Sequence, residues 1–291
     1  MEIMRRDETR KAILLVECPD RRGIVAAIST FLYEHGANIL SADQYQDNDL
    51  GVFFTRIEWD LAEFDLERRG FAARFAPVAE RFAMTWRVEY ARAPLPTAVF
   101  VSRFTHCLAD LLHRHQIGEL PADIRMVIGN HEDARAVSEF YGLPFHHVPV
   151  AASGDAAAEQ RQLDLLEQQH VELIVLARYM RVLSPAFVER YPARIINVHH
   201  SFLPAFAGAK PYHAAFERGV KLIGATSHYV TKDLDEGPII EQDVIRVTHR
   251  DRLADLVEKG RDMERLVLSR AVRRHLENRI LLHGRKTVVF D

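Results

Sequence analysis

Three side chains near the ends of predicted strands could together carry out acyl chemistry. Asn197 and His199 stand two residues apart in the run Ile195–His199, so on a strand they point to the same face. Asp235 precedes Glu-Gly in a predicted tight turn that can present its carboxylate. An amide and an imidazole can stabilise an oxyanion, and a carboxylate can keep the imidazole charged or position and deprotonate a nucleophile. The set indicates direct attack of water or an amine on a carbonyl carbon.

Each of these residue types also has an ordinary structural role. Asn and Asp at strand ends commonly form turns, and most of the 15 histidines of such a chain lie on the surface or in a hydrogen-bonded core position. A metal site is a further alternative, but adjacent histidines on a strand point apart, and the H-x-x-x-H and H-E-x-x-H helix patterns are absent. The histidines concerned are His199, His200, His213 and His228.

The composition is that of a globular chain with two domains. Its 291 residues are 48% hydrophobic and 27% charged, and the length is large for one ordinary domain. A net charge of −3 argues against a protein that mainly holds nucleic acid or an anionic membrane. Two cysteines, Cys18 and Cys107, exclude a disulfide framework and a four-cysteine metal site. Neither a signal-peptide pattern nor an apolar run of about 18 residues is present, so we expect a cytoplasmic protein.

Residues 1–92 show the element order of a ferredoxin-like fold, βαββαβ, with both helices on one face of the sheet. Two prolines within residues 94–96 indicate an extended connector. We therefore predict a first domain at 1–92, a linker at 93–97 and a second domain at 98–291. The strands are predicted at 12–16, 38–46, 52–59 and 84–90, and the helices at 24–35 and 64–79.

Residues 98–291 alternate short apolar strands with helices, which predicts a parallel, doubly wound sheet. In such sheets ligands bind beyond the carboxyl ends of the strands. We therefore expect the chemistry in the loops that follow Ala177, Ile196 and Tyr229. A long amphipathic helix and a hairpin at 280–290 are predicted to end the chain.

Several segments resemble the folate-dependent formyltransferase superfamily, and within it the branch that hydrolyses 10-formyltetrahydrofolate. The Asn-x-His element at 197–199 and the Leu-Asp-x-Gly-Pro-Ile-Ile run at 234–240 are specific when they occur together in this order. The N-terminal unit resembles an ACT domain. The resemblance therefore implies a ferredoxin-like ACT domain followed by a Rossmann-like, doubly wound formyltransferase domain. It continues at 20–23, 36–38, 101–112, 129–133 and 208–212, with one departure, Gly129, where serine is expected.

The resemblance implies hydrolysis of 10-formyltetrahydrofolate to formate and tetrahydrofolate, with no metal and no cofactor. Asn197 and His199 would polarise the formyl oxygen and stabilise the tetrahedral oxyanion. Asp235 would orient the water and pair with His199, since a neighbouring carboxylate favours the charged imidazole. His228, on the strand that leads to Asp235, would either support these residues from behind or pack in the core.

The resemblance also implies two binding sites. The loop at 178–183 would hold the pterin ring, with backbone groups of Met180, Arg181 and Leu183 on its edges and the apolar side chains of Met180, Val182 and Leu183 along the slot. In the ACT domain, a small amino acid such as glycine or methionine would bind at Asp20, Gly23 and Asn38. Such modules often bind effectors at a dimer interface, so we expect a homo-oligomer formed through the ACT domains; the alternative is that this domain only oligomerises the enzyme.

Water is the acceptor that the sequence favours. Formylation of glycinamide ribonucleotide needs a glycine-rich phosphate loop, and the corresponding segment, 101–108, has no glycine. Methionyl-tRNA formyltransferases carry an additional RNA-binding domain that we do not find, and the slight acidity disfavours tRNA. The expected role is to supply formate for purine biosynthesis and to balance one-carbon pools. The alternative enzymatic function is formyl transfer to an amine, such as an amino sugar. The non-enzymatic alternative is an amino-acid sensor with a degenerate catalytic domain.

Overall fold

The computed structural model describes residues 11–90, 93–151, 155–204 and 211–291. The chain forms two compact units. The first comprises Met1–Ala93 together with Asn278–Asp291, and the second comprises Pro94–Glu277. The sequence places the last fourteen of these residues in the second domain, whereas in the structure they belong to the first unit.

The first unit contains a four-stranded antiparallel sheet in the order β2-β3-β1-β4, as the βαββαβ prediction requires. One face packs on two helices, with Trp59 stacked on Phe71 at a ring-centroid distance of 5.7 Å. The second helix begins at Arg68 rather than at residue 64. The elements are β1 Lys11–Pro19, α1 Ile24–Glu34, β2 Asn38–Asp47, β3 Val52–Asp60, α2 Arg68–Arg81 and β4 Thr85–Tyr90.

The C-terminal hairpin, β12 (Ile280–His283) and β13 (Lys286–Val289), covers the other face of this sheet. Leu281 packs with Leu15 of β1 and with Phe54 of β3, while Arg56 donates to the carbonyl of Asn278 at 3.1 Å. The physical reason lies in β1 and β3, which carry apolar residues at consecutive positions and therefore need cover on both faces. The predicted hairpin is confirmed, but its place in the second domain is corrected.

The second unit contains a seven-stranded sheet in the order β11-β10-β9-β8-β5-β6-β7. The five strands β5 to β9 are parallel, as predicted, and β10 and β11 extend the sheet beyond β9 in antiparallel pairing. The first strand begins at Leu95, inside the predicted linker. The strands are β5 Leu95–Val101, β6 Ala122–Gly129, β7 Phe145–His147, β8 Leu173–Ala177, β9 Ile195–His199, β10 Leu222–Tyr229 and β11 Ile239–Arg246.

Six α-helices of this unit lie within the described residues. The longest, α8, packs against β9, β10 and β11 and carries its buried residues on one stripe. In the described parts of the chain, no helix has both the length and the apolar character needed to cross a bilayer. The helices are α3 His106–Gln116, α4 Arg135–Phe140, α5 Ala156–Gln168, α6 Pro185–Glu189, α7 Pro211–Arg218 and α8 Leu253–Leu276.

The antiparallel direction of β10 changes how the site is assembled. Thr226 pairs with His199 and Tyr229 pairs with Ile196, so β10 ends beside the first half of β9. The loop after Tyr229 therefore begins at the amino end of β9, whereas the loops after β8 and β9 begin at the carboxyl ends of their strands. Since His199 is the last residue of β9, this loop must fold back along the face of the sheet to reach it.

Candidate active site

His199 and Asp235 form a close pair at the carboxyl end of β9. The Nδ1 of His199 lies 3.2 Å from Oδ2 of Asp235. This hydrogen bond is the largest influence on the carboxylate and lowers the pKa of Asp235 despite its partial burial. Asp235 is therefore ionised at neutral pH and accepts the proton on Nδ1. The other nitrogen of His199, Nε2, is buried and has no hydrogen-bond partner among the described residues, which leaves it available to a bound molecule.

Asn197 and His228 complete the polar group on the same face of the sheet. The Nδ1 of His228 donates to the carbonyl of Tyr229 at 3.0 Å, and Asn197 Nδ2 donates to His228 Nε2 at 3.2 Å. Burial lowers the pKa of His228, so its ring is neutral, as this pattern requires. His228 Nε2 also lies 3.7 Å from Asp235 Oδ1, but Nε2 carries no proton in this pattern, so the ring orients Asn197 and forms no hydrogen bond with Asp235.

The turn at residues 233–237 presents the Asp235 carboxylate. Asp235 itself has a φ of +55°, a left-handed conformation that Asp and Asn adopt more readily than other side chains. Gly237 lies so close to the preceding strand that a Cβ at this position would stand 1.7 Å from the carbonyl oxygen of Tyr229. Only glycine permits this approach, and the N–H of Tyr229 donates to the carbonyl of Pro238 at 3.0 Å.

His200 differs from its neighbour His199 in environment. It is buried, and its ring contacts those of His199 and Tyr212 at centroid distances of 5.1 and 6.1 Å. Burial, followed by the charges of Arg178 and His199, lowers the pKa of His200 to about 4. His200 is therefore neutral at physiological pH and does not pair with Asp235.

The loop after β8 is fixed to the end of β5. The N–H of Met180 donates to Ser102 Oγ at 2.9 Å, and the N–H of Ser102 donates to the carbonyl of Arg178 at 3.3 Å. Of the Met180 backbone groups predicted to pair with a pterin, the N–H is therefore already bonded within the protein.

The three predicted apolar side chains of this loop lie in different environments. Leu183 is buried in the core of the second unit, whereas Met180 and Val182 are 44% and 70% exposed. Arg181 Nε donates to the carbonyl of Val150 at 3.3 Å. The Met180 and Val182 side chains are therefore the parts of the predicted site that are exposed.

Glu264 is a buried carboxylate that the sequence reading missed. Its oxygens accept from His106 Nε2 at 2.7 Å and from Tyr212 Oη at 2.6 Å, and Arg178 Nε lies 3.3 Å away. Burial by itself raises the pKa of Glu264, but these hydrogen bonds and the Arg178 charge outweigh it and hold the pKa below the ordinary value. The sequence signal that could have revealed Glu264 is its place, as a charged residue, within the apolar stripe of α8.

His106, Cys107 and Glu264 have ligand atoms within 4.8 Å of one another, the one such trio found in the described residues. The chemistry of this set does not favour a metal. Both Glu264 oxygens already accept hydrogen bonds, the Arg178 cation is adjacent, and burial raises the pKa of the Cys107 thiol well above its ordinary range, whereas the thiolate is the metal ligand.

Gly129, the departure from the expected serine, is explained by packing at the end of β6. A Cβ there would stand 2.6 Å from Cζ of Phe145 and 2.8 Å from the carbonyl oxygen of His131. Phe145 on β7 therefore occupies the space of any side chain at this position. Gly129 lies on β6, which β5 and β8 separate from β9 and its residues Asn197 and His199.

The predicted effector residues do not lie together within one chain. Pro19, next to Asp20, pairs with Val52 at one end of β3, whereas Asn38 pairs with Asp60 at the other end, about 27 Å away at about 3.4 Å per residue. The reason is the crossover: α1 returns the chain along the sheet, so the turn before it and the turn after it lie at opposite ends.

Two predicted effector residues remain at the turn that precedes α1. Gly23 has a φ of +94° at the start of α1. Asp20 Oδ2 accepts from Gln46 Nε2 at 2.6 Å, so Gln46 replaces Asn38 as the polar neighbour.

Comparison with known proteins agrees with this architecture. Residues 96–272 match the family model described as Formyl transferase, and residues 12–58 match the ACT domain model. A formyltetrahydrofolate deformylase from Bacillus subtilis is 55% identical over 97% of this chain and 94% of its own length. The crystal structure of a formyltetrahydrofolate deformylase from Pseudomonas syringae pv. tomato superposes with a TM-score of 0.93 at 47% identity, covering 100% and 97% of the two chains.

A transferase is similar to part of this chain. Glycinamide ribonucleotide transformylase 1 from Symbiobacterium toebii has a TM-score of 0.66 at 30% identity and covers 69% of this chain and 97% of its own. The fold and the matches together define a formyl transferase-type enzyme with an N-terminal ACT domain. Within that class, the chain belongs to the formyltetrahydrofolate deformylase family.

Proposed function

We propose that this chain hydrolyses 10-formyltetrahydrofolate to formate and tetrahydrofolate. The observation that carries the proposal is the His199–Asp235 pair, with a carboxylate on one ring nitrogen and a buried, unpartnered nitrogen on the other. The membership of this chain in the formyltetrahydrofolate deformylase family supports the same chemistry. The formyl group of the substrate would bind against His199 Nε2 and Asn197.

The oxyanion is stabilised by two groups on β9. When water attacks the formyl carbon, the carbonyl oxygen becomes negatively charged, and it accepts hydrogen bonds from the Asn197 amide and from protonated His199 Nε2. The His228 ring holds the Asn197 side chain, so the donor is oriented before the substrate binds. Preorganised donors of this kind lower the barrier because they do not reorganise during the reaction.

Asp235 positions the nucleophile and supports proton transfer. Its charged carboxylate holds His199 Nδ1–H through Oδ2, and Oδ1 can accept a hydrogen bond from the attacking water. The proton released by water passes to the Asp235–His199 pair and from there to N10 of the folate as the C–N10 bond breaks. The two products are formate and tetrahydrofolate, and no cofactor or metal takes part.

We place the pterin on the loop after β8. Its edge would pair with backbone groups of Arg181 and Leu183, and its faces would contact the exposed Met180 and Val182 side chains. The support is the position of this loop at the carboxyl end of β8, next to the end of β9, where ligands of parallel sheets bind. The folate would then enter beside His199.

Incubation of the purified protein with 10-formyltetrahydrofolate alone tests this function. We expect stoichiometric formate and tetrahydrofolate without any added acceptor. Turnover that begins only after an amine is added would favour the alternative, formyl transfer, and would overturn the proposal.

Replacing Gly237 with Ala should impair catalysis through the position of Asp235. The added methyl group would overlap the carbonyl oxygen of Tyr229, so the turn must move. We expect kcat for formate release to fall by about 10²-fold, since a displacement of about 1 Å of a reacting group can have that effect. Gly70→Ala on α2, where a Cβ meets nothing within 4 Å, is the matched control. Wild-type turnover by folded Gly237→Ala would contradict the role of this turn.

We also propose that the ACT domain binds a small amino acid, glycine or methionine, and assembles the chain into a homo-oligomer. The support is the ACT match and the open turn around Asp20 and Gly23, with Gln46 as the neighbouring polar side chain. The same proposal includes a cytoplasmic location and a role in supplying formate for purine biosynthesis.

Millimolar glycine or methionine should change the rate of formate release. Allosteric coupling is typically worth about 5-fold or more, and Asp20→Ala should abolish the response because it removes the carboxylate at the turn. Asp49→Ala, in the turn between β2 and β3, is the control that keeps the response. A flat response to both amino acids in the wild-type protein would exclude them as effectors, and analytical ultracentrifugation would test the oligomer.

A further inference from the structure

Arg178 occupies an unusual position at the end of β8. Its φ is +62°, in the left-handed region where glycine is the ordinary residue, and yet its long side chain is 8% exposed. A strained conformation of this kind persists only where the surroundings enforce it. The surroundings of the guanidinium therefore indicate why an arginine is kept here.

The guanidinium lies inside the protein against Glu264, with Arg178 Nε 3.3 Å from Oε2. Glu264 is the only carboxylate that is fully buried in the described part of the chain. Its two oxygens also accept hydrogen bonds from His106 and Tyr212. Both oxygens of the Glu264 carboxylate are thus bonded to groups of the chain itself.

This cluster reaches the catalytic histidine through ring contacts. The Tyr212 ring contacts the ring of His200, which contacts the ring of His199. After burial, the Arg178 charge is the largest cause of the lowered pKa of His200. Arg178 and Glu264 are therefore linked to His199 through Tyr212 and His200.

We propose, resting on the hydrolysis proposed above, that Arg178 held by Glu264 is the specificity-determining residue that restricts the formyl acceptor to water. An amine acceptor must bring its nitrogen to the formyl carbon, and as an ammonium ion it binds best beside a buried carboxylate. Here a fixed cation already neutralises that carboxylate and repels a second cation. Water carries no charge and needs little room, so it is not excluded.

Removal of the arginine should therefore open an acceptor position. Arg178→Gly relieves the backbone conformation and leaves Glu264 without its cation. In this variant the amine would bind beside Glu264 as an ammonium ion, release one proton to solvent and attack the formyl carbon as the neutral amine. The C–N10 bond would break, and the second proton lost by the attacking nitrogen would pass to N10. The products are a formylated amine and tetrahydrofolate.

The test measures the ratio of formylglycinamide to formate when 10-formyltetrahydrofolate and glycinamide are supplied together. We expect the ratio to rise roughly tenfold or more in Arg178→Gly over the wild-type protein. Added guanidinium ion should lower the ratio again because it refills the vacated position. The ratio does not depend on the amount of folded enzyme, so a general loss of structure would not raise it.

Two further variants make the outcome decisive. Arg261→Ala is the matched control, since its guanidinium also lies 5.5 Å from the Phe104 ring, and it should keep the wild-type ratio. Arg178→Asn replaces Arg178→Gly if that variant does not fold, because asparagine also adopts a left-handed backbone conformation.

A wild-type ratio in a folded, active Arg178 variant would overturn the proposal, and so would a folded variant inactive with both acceptors. Failure of the hydrolysis itself would be seen separately, as no formate from the wild-type protein.

Discussion

Replacing Asp235 with Asn is expected to lower the turnover of 10-formyltetrahydrofolate by about 10²–10⁴-fold. Asn has the same shape and adopts the left-handed conformation of Asp235, where φ is +55°, so the turn should be preserved. What is lost is the negative charge that holds His199 Nδ1–H and the oxygen that orients water. Steady-state kinetics of formate release, with folate binding measured by calorimetry, should show a reduced kcat and a nearly unchanged affinity.

The control for this substitution is Asp233→Asn, an exposed carboxyl in the same loop. It should keep wild-type kcat, which separates the effect of the Asp235 charge from any effect of the loop's composition. Near-normal turnover by folded Asp235→Asn would refute the role assigned to the carboxylate.

The charge of Asp235 also determines where activity is lost at acidic pH. The hydrogen bond from His199 lowers the pKa of Asp235 below the ordinary value of 3.8. A group with a lowered pKa stays ionised as the pH falls and is protonated only below its ordinary range. The activity that depends on this charge is therefore retained down to the ordinary value of 3.8 and lost only below it, and a loss of activity between about pH 7 and about pH 4 would have to come from another group.

Replacing His199 with Gln should have an effect of similar size, about 10²–10⁴-fold on kcat. The glutamine amide can donate a hydrogen bond but cannot carry a positive charge or transfer a proton, and the substitution also removes the ring nitrogen that pairs with Asp235. Both the stabilisation of the oxyanion and the transfer of the proton to N10 are then lost. Pre-steady-state measurement of the first turnover would show that the chemical step, rather than product release, is slowed.

His200→Gln is the informative comparison because the two histidines are adjacent. His200 has a pKa of about 4 and no contact with Asp235 in the structure, so the loss in its variant should be at least about tenfold smaller. His213→Gln, on the exposed side of α7, should leave kcat unchanged. Equal losses at positions 199 and 200 would contradict the assignment of catalysis to His199.

The ferredoxin-like and parallel strands were predictable because local pattern specifies them. Alternating or continuous apolar runs, such as Leu173–Ala177, indicate half-buried or fully buried strands without any knowledge of the neighbours. The short helix Pro185–Glu189 was missed although Ser184 and Pro185 are a recognisable helix start. The place of the tail was not predictable, because Leu281 covers Leu15, 266 positions away in the chain, only after the sheet of the first unit has formed.

The sequence by itself determined the catalytic residue types and their motif spacing, Asn197 and His199 on one strand face and Asp235 before a glycine turn. Only the tertiary structure decided that β10 runs antiparallel and sends the Asp235 loop back across the sheet. It also decided that Asn38 lies far from Asp20, and that Arg178 meets Glu264. The physical reason is that spacing along a strand is set by local backbone geometry. Strand direction, crossover ends and buried ion pairs depend on which distant surfaces pack together, and no short segment of the chain specifies that.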